Sequence, residues 1–101
     1  MLIDDVEAII RTHLPTLADL NATVKLDMGA DGVLFLDAAG EAPTLSRQAG
    51  PSDCTLKVSA SNMKKMLSGE MNPLMAVAFG RIKVDGDRRV ATRLTELMRR
   101  G

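Results

Sequence analysis

The stretch 61-SNMKKMLSGEMNPLMAVAFGRIKVDGDRRVATRLTEL-97 decides how this chain folds. It opens as a short amphipathic helix. Ser59 or Ser61 supplies the N-cap oxygen, Met63, Met66 and Leu67 follow i, i+3, i+4 spacing, and Lys64 and Lys65 face water. Gly69 stops that helix. Asn72 caps the next one, with Pro73 at its first position, where a missing N–H costs nothing. Arg81 to Val84 reads as a short strand, Asp85-Gly86 as a turn, and Asp87 as the cap of a final helix. That helix sets Val90, Ala91, Leu94, Leu97 and Met98 on one face and its arginines on the other.

Upstream, residues 4 to 14 predict a helix with an apolar stripe of Ile3, Val6, Ile9 and Ile10 and a capping box in Asp4-x-x-Glu7. Pro15 stops or breaks it, and Thr16 to Ala22 reads equally as loop or as another helical turn. Thr23 to Met28 alternates, with Val24, Leu26 and Met28 on one face, and so predicts a half-buried strand. After a turn at Gly29 to Gly32, Val33 to Asp37 is its hairpin partner. Val33-Leu34-Phe35-Leu36 does not alternate, which implies that both of its faces are covered. Thr44 to Gln48 reads as a weak third strand, and Cys54 to Ser59 alternates with Cys54, Leu56 and Val58 inward. Helix, strands, helices, strand, helix is the order of an α+β fold whose helices cover one face of a sheet.

At 101 residues the chain is one domain, residues 1 to 101, with room for a single core. Its 46% apolar and 26% charged content is that of an ordinary globular protein. The acidic start lacks the positive charge of a secretory signal, and no apolar run reaches the ~18 residues of a membrane span. Arg99-Arg100-Gly101 is not a peroxisomal address, so the expected compartment is the cytoplasm. The net charge of zero hides a polarity. Residues 1 to 53 hold nine acids and three bases, and residues 54 to 101 hold four acids and ten bases. The halves either cancel by packing together or leave a basic face around Arg81, Lys83, Arg88, Arg89, Arg93, Arg99 and Arg100 for anionic headgroups.

Catalysis has little to work with. His13 and Cys54 are the sole histidine and cysteine, so no disulfide and no zinc site can form within the chain. Cys54 shares a strand face with Leu56 and Val58, which makes it a core residue, and His13 decorates a helix end. Asp85-Gly86-Asp87 is a turn and a cap rather than a cation loop, and the glycines form no phosphate-binding pattern. With two phenylalanines and no tyrosine or tryptophan, the basic half lacks the stacking surfaces of a nucleic-acid binder. No catalytic residue, metal or cofactor is expected. Met63, Met66, Met71 and Met75 crowd into thirteen residues, enough for either plain packing or an adaptable apolar wall.

Ser68-Gly69-Glu70-Met71-Asn72-Pro73 resembles the Gly-x-x-x-Pro junction of the sterol carrier protein 2 lipid-binding family. Pro73, Ala76, Gly80, Lys83, Gly86, Ala91, Leu94 and Leu97 fall at the spacing of that family's pattern, and Asp53-Cys54-Thr55-Leu56 is similar to its Asp-x-Thr-Leu strand. The likeness covers residues 53 to 97, with Val77 for the usual Phe, Phe79 for a polar residue, Arg81 for Lys and Asp87 for Asn. It implies a five-stranded mixed sheet with a hydrophobic tunnel beneath the helices, and non-catalytic binding or transfer of a fatty acid, fatty acyl-CoA or sterol-like lipid. The expected tunnel residues are Phe35, Met63, Met66, Leu67, Met71, Leu74, Met75, Val77, Phe79, Ile82, Leu94, Leu97 and Met98, with Arg81, Arg89 and Arg93 as head-group contacts. Expected partners are the lipid and, transiently, an anionic membrane surface. The alternative is an interaction domain of the same fold whose tunnel is closed or covered by a partner protein or second copy.

Overall fold

A computed structural model describes residues 2–48 and 50–100, the side chains of the last two excepted. Arg99 and Arg100 of the expected basic face therefore lie outside the described side chains. The elements are α1 (Leu2–Thr12), α2 (Leu14–Leu17), β1 (Thr23–Asp27), β2 (Val33–Asp37), β3 (Thr44–Ser46), β4 (Cys54–Val58), α3 (Ala60–Leu67), α4 (Pro73–Ala78), β5 (Ile82–Gly86) and α5 (Arg88–Arg100). No helix among the described residues is long and apolar enough to cross a membrane.

The strands form one five-stranded sheet in the order β3-β2-β1-β4-β5. Only β1 and β4 run parallel, with Val24 opposite Cys54 and Leu26 opposite Leu56. Asp53 fixes the start of that pair. Its carboxylate accepts from the Thr23 backbone N–H at 2.9 Å, and its own N–H donates to the Thr23 hydroxyl at 2.9 Å. Registry puts Val24, Leu26, Leu34, Leu36, Leu45, Cys54, Leu56, Val58 and Ile82 on one face, all buried. α1, α3 and α5 bring Ile3, Val6, Ile10, Met63, Leu94 and Leu97 down to complete the core.

Three caps behave as their sequence predicts. The Ser59 hydroxyl accepts from Asn62 N–H at 3.1 Å, and the Asn72 amide oxygen accepts from Leu74 N–H at 2.9 Å. Asp87 likewise accepts from Arg89 N–H at 2.9 Å, and the Arg89 side chain beside it holds its carboxyl below the usual range.

Some boundaries differ from the sequence reading, whereas the break at Pro15 and the turn after it match one of its alternatives. The first helix runs from Leu2 to Thr12, so Asp4 and Glu7 lie inside it and form no capping box; instead Arg47, beyond β3, bridges both carboxylates. Pro15, which lacks an N–H, sits in the first turn of α2, so the chain breaks at His13 and winds one more turn before a 3-10 turn at Ala18–Leu20. The strand expected over Arg81 to Val84 continues through Asp85 and Gly86, opposite Thr55 and Cys54. Gly86 permits this: its φ is 97°, and a Cβ there would lie 2.6 Å from the Asp53 carbonyl oxygen.

β2 also departs from expectation. Leu34 and Leu36 are buried, but Val33 and Phe35 point to the opposite face, beside Lys25 and Ser46, where the side chains are only partly covered. Burial alternates although hydrophobicity does not.

Candidate ligand cavity

A cavity of about 520 Å³ lies between the sheet and the helices. Its floor is Val24, Leu26, Leu36, Leu56 and Ile82, side chains that the 2-residue strand period aims at one face. Ile10 and His13 from the end of α1, Met63, Met66 and Leu67 from α3, and Leu94, Thr95 and Met98 from α5 form the walls. Ser68, Gly69 and Pro73, at the α3–α4 junction, complete the lining, and Ser68 and Gly69 are exposed.

No charged side chain lines it among the described residues, and His13 is its one titratable group. The Ser68 hydroxyl donates to Lys65 O at 3.1 Å and the Thr95 hydroxyl to Ala91 O at 3.0 Å, so both are tied to their own helices. Burial pushes the Cys54 thiol up, helped by the nearby Asp87 charge, and Cys54 is not among the lining residues. No group of three or more metal-grade side chains occurs among the described residues.

Of the thirteen residues expected at a tunnel, six line the cavity: Met63, Met66, Leu67, Ile82, Leu94 and Met98. Phe35 is on the other face of the sheet. Met71 packs half-buried against the core, and Leu97 is buried beside a small polar recess formed with Asp19, Asn21, Arg93 and Glu96. Leu74, Met75, Val77 and Phe79 are turned to solvent, at 78, 52, 47 and 69% exposure. α4 buries Ala76 alone.

The three arginines expected at a head group do not reach the lining either. Arg89 pairs with Asp87 at 3.3 Å, Arg93 donates to Asp19 O at 3.1 Å, and Arg81 is exposed at the end of α4. Sequence reasoning named Ile82 of the floor but not Val24, Leu26, Leu36 and Leu56, nor His13 in the wall. The floor carried a usable signal, since Val24, Leu26 and Leu56 were already the inward positions of alternating strands.

The described fold agrees with comparisons to known proteins. A sequence comparison with curated proteins finds no match. Among solved structures, Sterol Carrier Protein 2 Like 2 from Aedes aegypti superposes with a TM-score of 0.69 at 21% identity, covering 95% of this chain and 98% of that one. Sterol Carrier Protein 2 from Yarrowia lipolytica in its apo form gives 0.67 at 18%, over 85% and 73%. Sterol Carrier Protein 2 from Aedes aegypti, solved in complex with the C16 fatty acid palmitate, gives 0.63 at 15%, over 85% and 90%. These likenesses establish the fold. A profile of the SCP-2 sterol transfer family matches residues 4–99, nearly the whole chain, and the chain therefore belongs to the SCP-2 sterol transfer family.

Proposed function

We propose that this domain is a non-catalytic carrier that holds the apolar part of a lipid in the cavity between sheet and helices. The observation that carries the reading is a volume of about 520 Å³ walled mostly by aliphatic and thioether side chains. That volume falls within the ~300–1,000 Å³ of small-molecule sites. Burying an acyl chain there contributes about 0.8 kcal/mol per methylene. Met63, Met66 and Met98 give the wall side chains that change shape cheaply, which suits a flexible fatty acid or fatty acyl-CoA better than one rigid fused ring. The palmitate complex of the Aedes aegypti relative supports the same ligand class.

Native mass spectrometry of the freshly purified protein, with lipid extraction from the same sample, tests this. A stoichiometric fatty acid or acyl-CoA adduct is the expected result. A bare monomer that also refuses added lipid would favour the alternative, an interaction domain whose cavity a partner protein or second copy covers.

The same reading assigns the exposed side of α4 to transient contact with an anionic membrane. Leu74, Met75, Val77 and Phe79 are exposed apolar side chains in the segment that follows the lining residues Ser68, Gly69 and Pro73. Lys65 and Arg81, exposed near the two ends of this segment, have no ion pair among the described residues. Anionic lipid would neutralise these cations. Sedimentation with phosphatidylglycerol vesicles should therefore exceed that with phosphatidylcholine vesicles. Leu74→Ser combined with Phe79→Ser should abolish the difference while shifting stability by no more than about 0.5 kcal/mol.

A further inference from the structure

The two edges of the sheet are finished differently. β3 is three residues long, and its Leu45 carbonyl accepts from the Arg11 guanidinium at 3.2 Å. β5 is five residues long and pairs with β4 alone. The Asp87 N–H donates to Asp53 O at 2.9 Å, and an antiparallel ladder alternates from there, so Asp85 and Lys83 are the residues that exchange bonds with β4. The N–H and C=O groups of Ile82, Val84 and Gly86 therefore point away from β4, and no hydrogen bond among the described residues uses them.

Such an edge recruits other strands, and charged side chains along it are a common protection. β5 carries two, Lys83 and Asp85, both exposed and both on the sheet face away from the core, opposite Lys57 and Thr55 of β4. Neither has an ion pair among the described residues. Lys83 instead stands directly across from Lys57, a like-charge pair that costs stability.

We propose that β5 pairs antiparallel with β5 of a second copy of this chain, about a two-fold axis at Val84. In that register Val84 faces the partner's Val84 and Ile82 faces the partner's Gly86, which matches every outward backbone group in exchanged bonds. Lys83 then faces the partner's Asp85 at a non-hydrogen-bonded position, where opposed side chains approach most closely. The two-fold repeats that contact, and each carboxylate lands beside a Lys57–Lys83 pair. A slip of two residues destroys the match. In one direction it sets Lys83 against the partner's Lys83, and in the other Asp85 against the partner's Asp85. The charges thus admit one register, and an edge that repels most strands accepts its own copy. Directly opposed residues share a face, so both helical layers end on the same side of one continuous sheet.

Sedimentation velocity of the full chain between about 10 µM and 1 mM tests this, a range suited to the small area of an edge-to-edge contact. Wild type should pass from monomer to dimer across it. Lys83→Asp alone and Asp85→Lys alone each set like charges opposite one another and should weaken the dimer by about 10-fold or more. An equimolar mixture of the two variants restores unlike charges at both contacts and should dimerise as wild type does. Both side chains are exposed, so circular dichroism should show the fold unchanged. Amide exchange of wild type gives a reading that needs no variant: the Val84 N–H should exchange about 5-fold or more slowly in the dimer than in dilute monomer. A wild type still monomeric at about 1 mM overturns the proposal, as does a mixture of folded variants that stays monomeric there. Single variants that dimerise like wild type, or a wild-type dimer with Val84 unprotected, place the interface elsewhere and overturn it equally.

Discussion

Leu56→Trp separates a real cavity from a packed core. Leu56 sits on the floor at 5% exposure, opposite Leu26 and Val84 in its flanking strands. A dry, rigid void of 520 Å³ would cost about 12 kcal/mol at ~24 cal/mol per Å³. That is comparable to the whole stability of about 5–15 kcal/mol available to a domain of this size. The space is therefore hydrated, filled, or soft around its methionines. A larger side chain in a close-packed interior costs about 1–3 kcal/mol. Here each ~50 Å³ of void filled instead returns up to about 1.2 kcal/mol. Without lipid, the variant should melt no lower than wild type and up to about 5–10 °C higher, at ~4–8 °C per kcal/mol. Wild type with palmitate at a hundred times its Kd should gain about 2.7 kcal/mol, and that gain should shrink towards zero in the variant. Circular dichroism follows the melting, and the introduced indole reports independently because the chain has no other tryptophan. A variant destabilised by more than about 1 kcal/mol would mean that the floor is already packed. Full retention of the palmitate shift would mean that lipid binds elsewhere.

Gly86→Ala should destabilise by about 2–4 kcal/mol, because its positive φ is compounded by a Cβ set against the Asp53 carbonyl. Gly29→Ala, at φ 59° with nothing within 4 Å, should cost about 1 kcal/mol; equal losses in urea unfolding would contradict the close approach at Gly86. The hydrogen bond from Arg47 holds the Asp4 carboxyl below its ordinary value, so this group contributes stability above its unfolded-state pKa and loses it as pH falls through the lowered folded value. Arg47→Ala should raise the Asp4 titration midpoint by NMR, with the two stability curves differing near neutrality and converging in acid; an unmoved midpoint would sever the pairing. Finally, burial keeps Cys54 in its thiol form, so a disulfide reagent at about pH 8 should label it only as fast as the sheet opens. Labelling at the rate of the urea-unfolded chain would place the thiol at the surface.

The strands were legible because their side chains obey a two-residue period that burial follows directly: Thr23 to Met28 and Cys54 to Val58 needed no tertiary information. The caps at Ser59, Asn72 and Asp87 were equally local. α4 was not legible. Leu74, Met75, Ala76, Val77, Ala78 and Phe79 are apolar around the full turn, so periodicity names no inner face, and packing buried Ala76 rather than any of the larger side chains. Phe35 misled for a related reason, since an apolar residue on a sheet reads as inward unless its registry with Leu34 and Leu36 is known. His13 was read as helix-end decoration because its position depends on where a proline breaks the helix, which fixes a direction in space that no spacing rule contains.

β1 has two unlike neighbours, and the difference is one of time. Its bonds to β2 close through a turn of a few residues, but β4 begins only at Cys54, long after β1 ends at Asp27. At ~5–20 residues per second, synthesis leaves the second edge of β1 without its partner for about 1–5 s. During that interval the nascent hairpin presents a row of unpaired amides and carbonyls beside Val24, Leu26 and Met28, the arrangement most prone to recruit another chain's strand. The parallel pairing at the centre of the finished sheet thus makes the half-made domain a natural client for a chaperone.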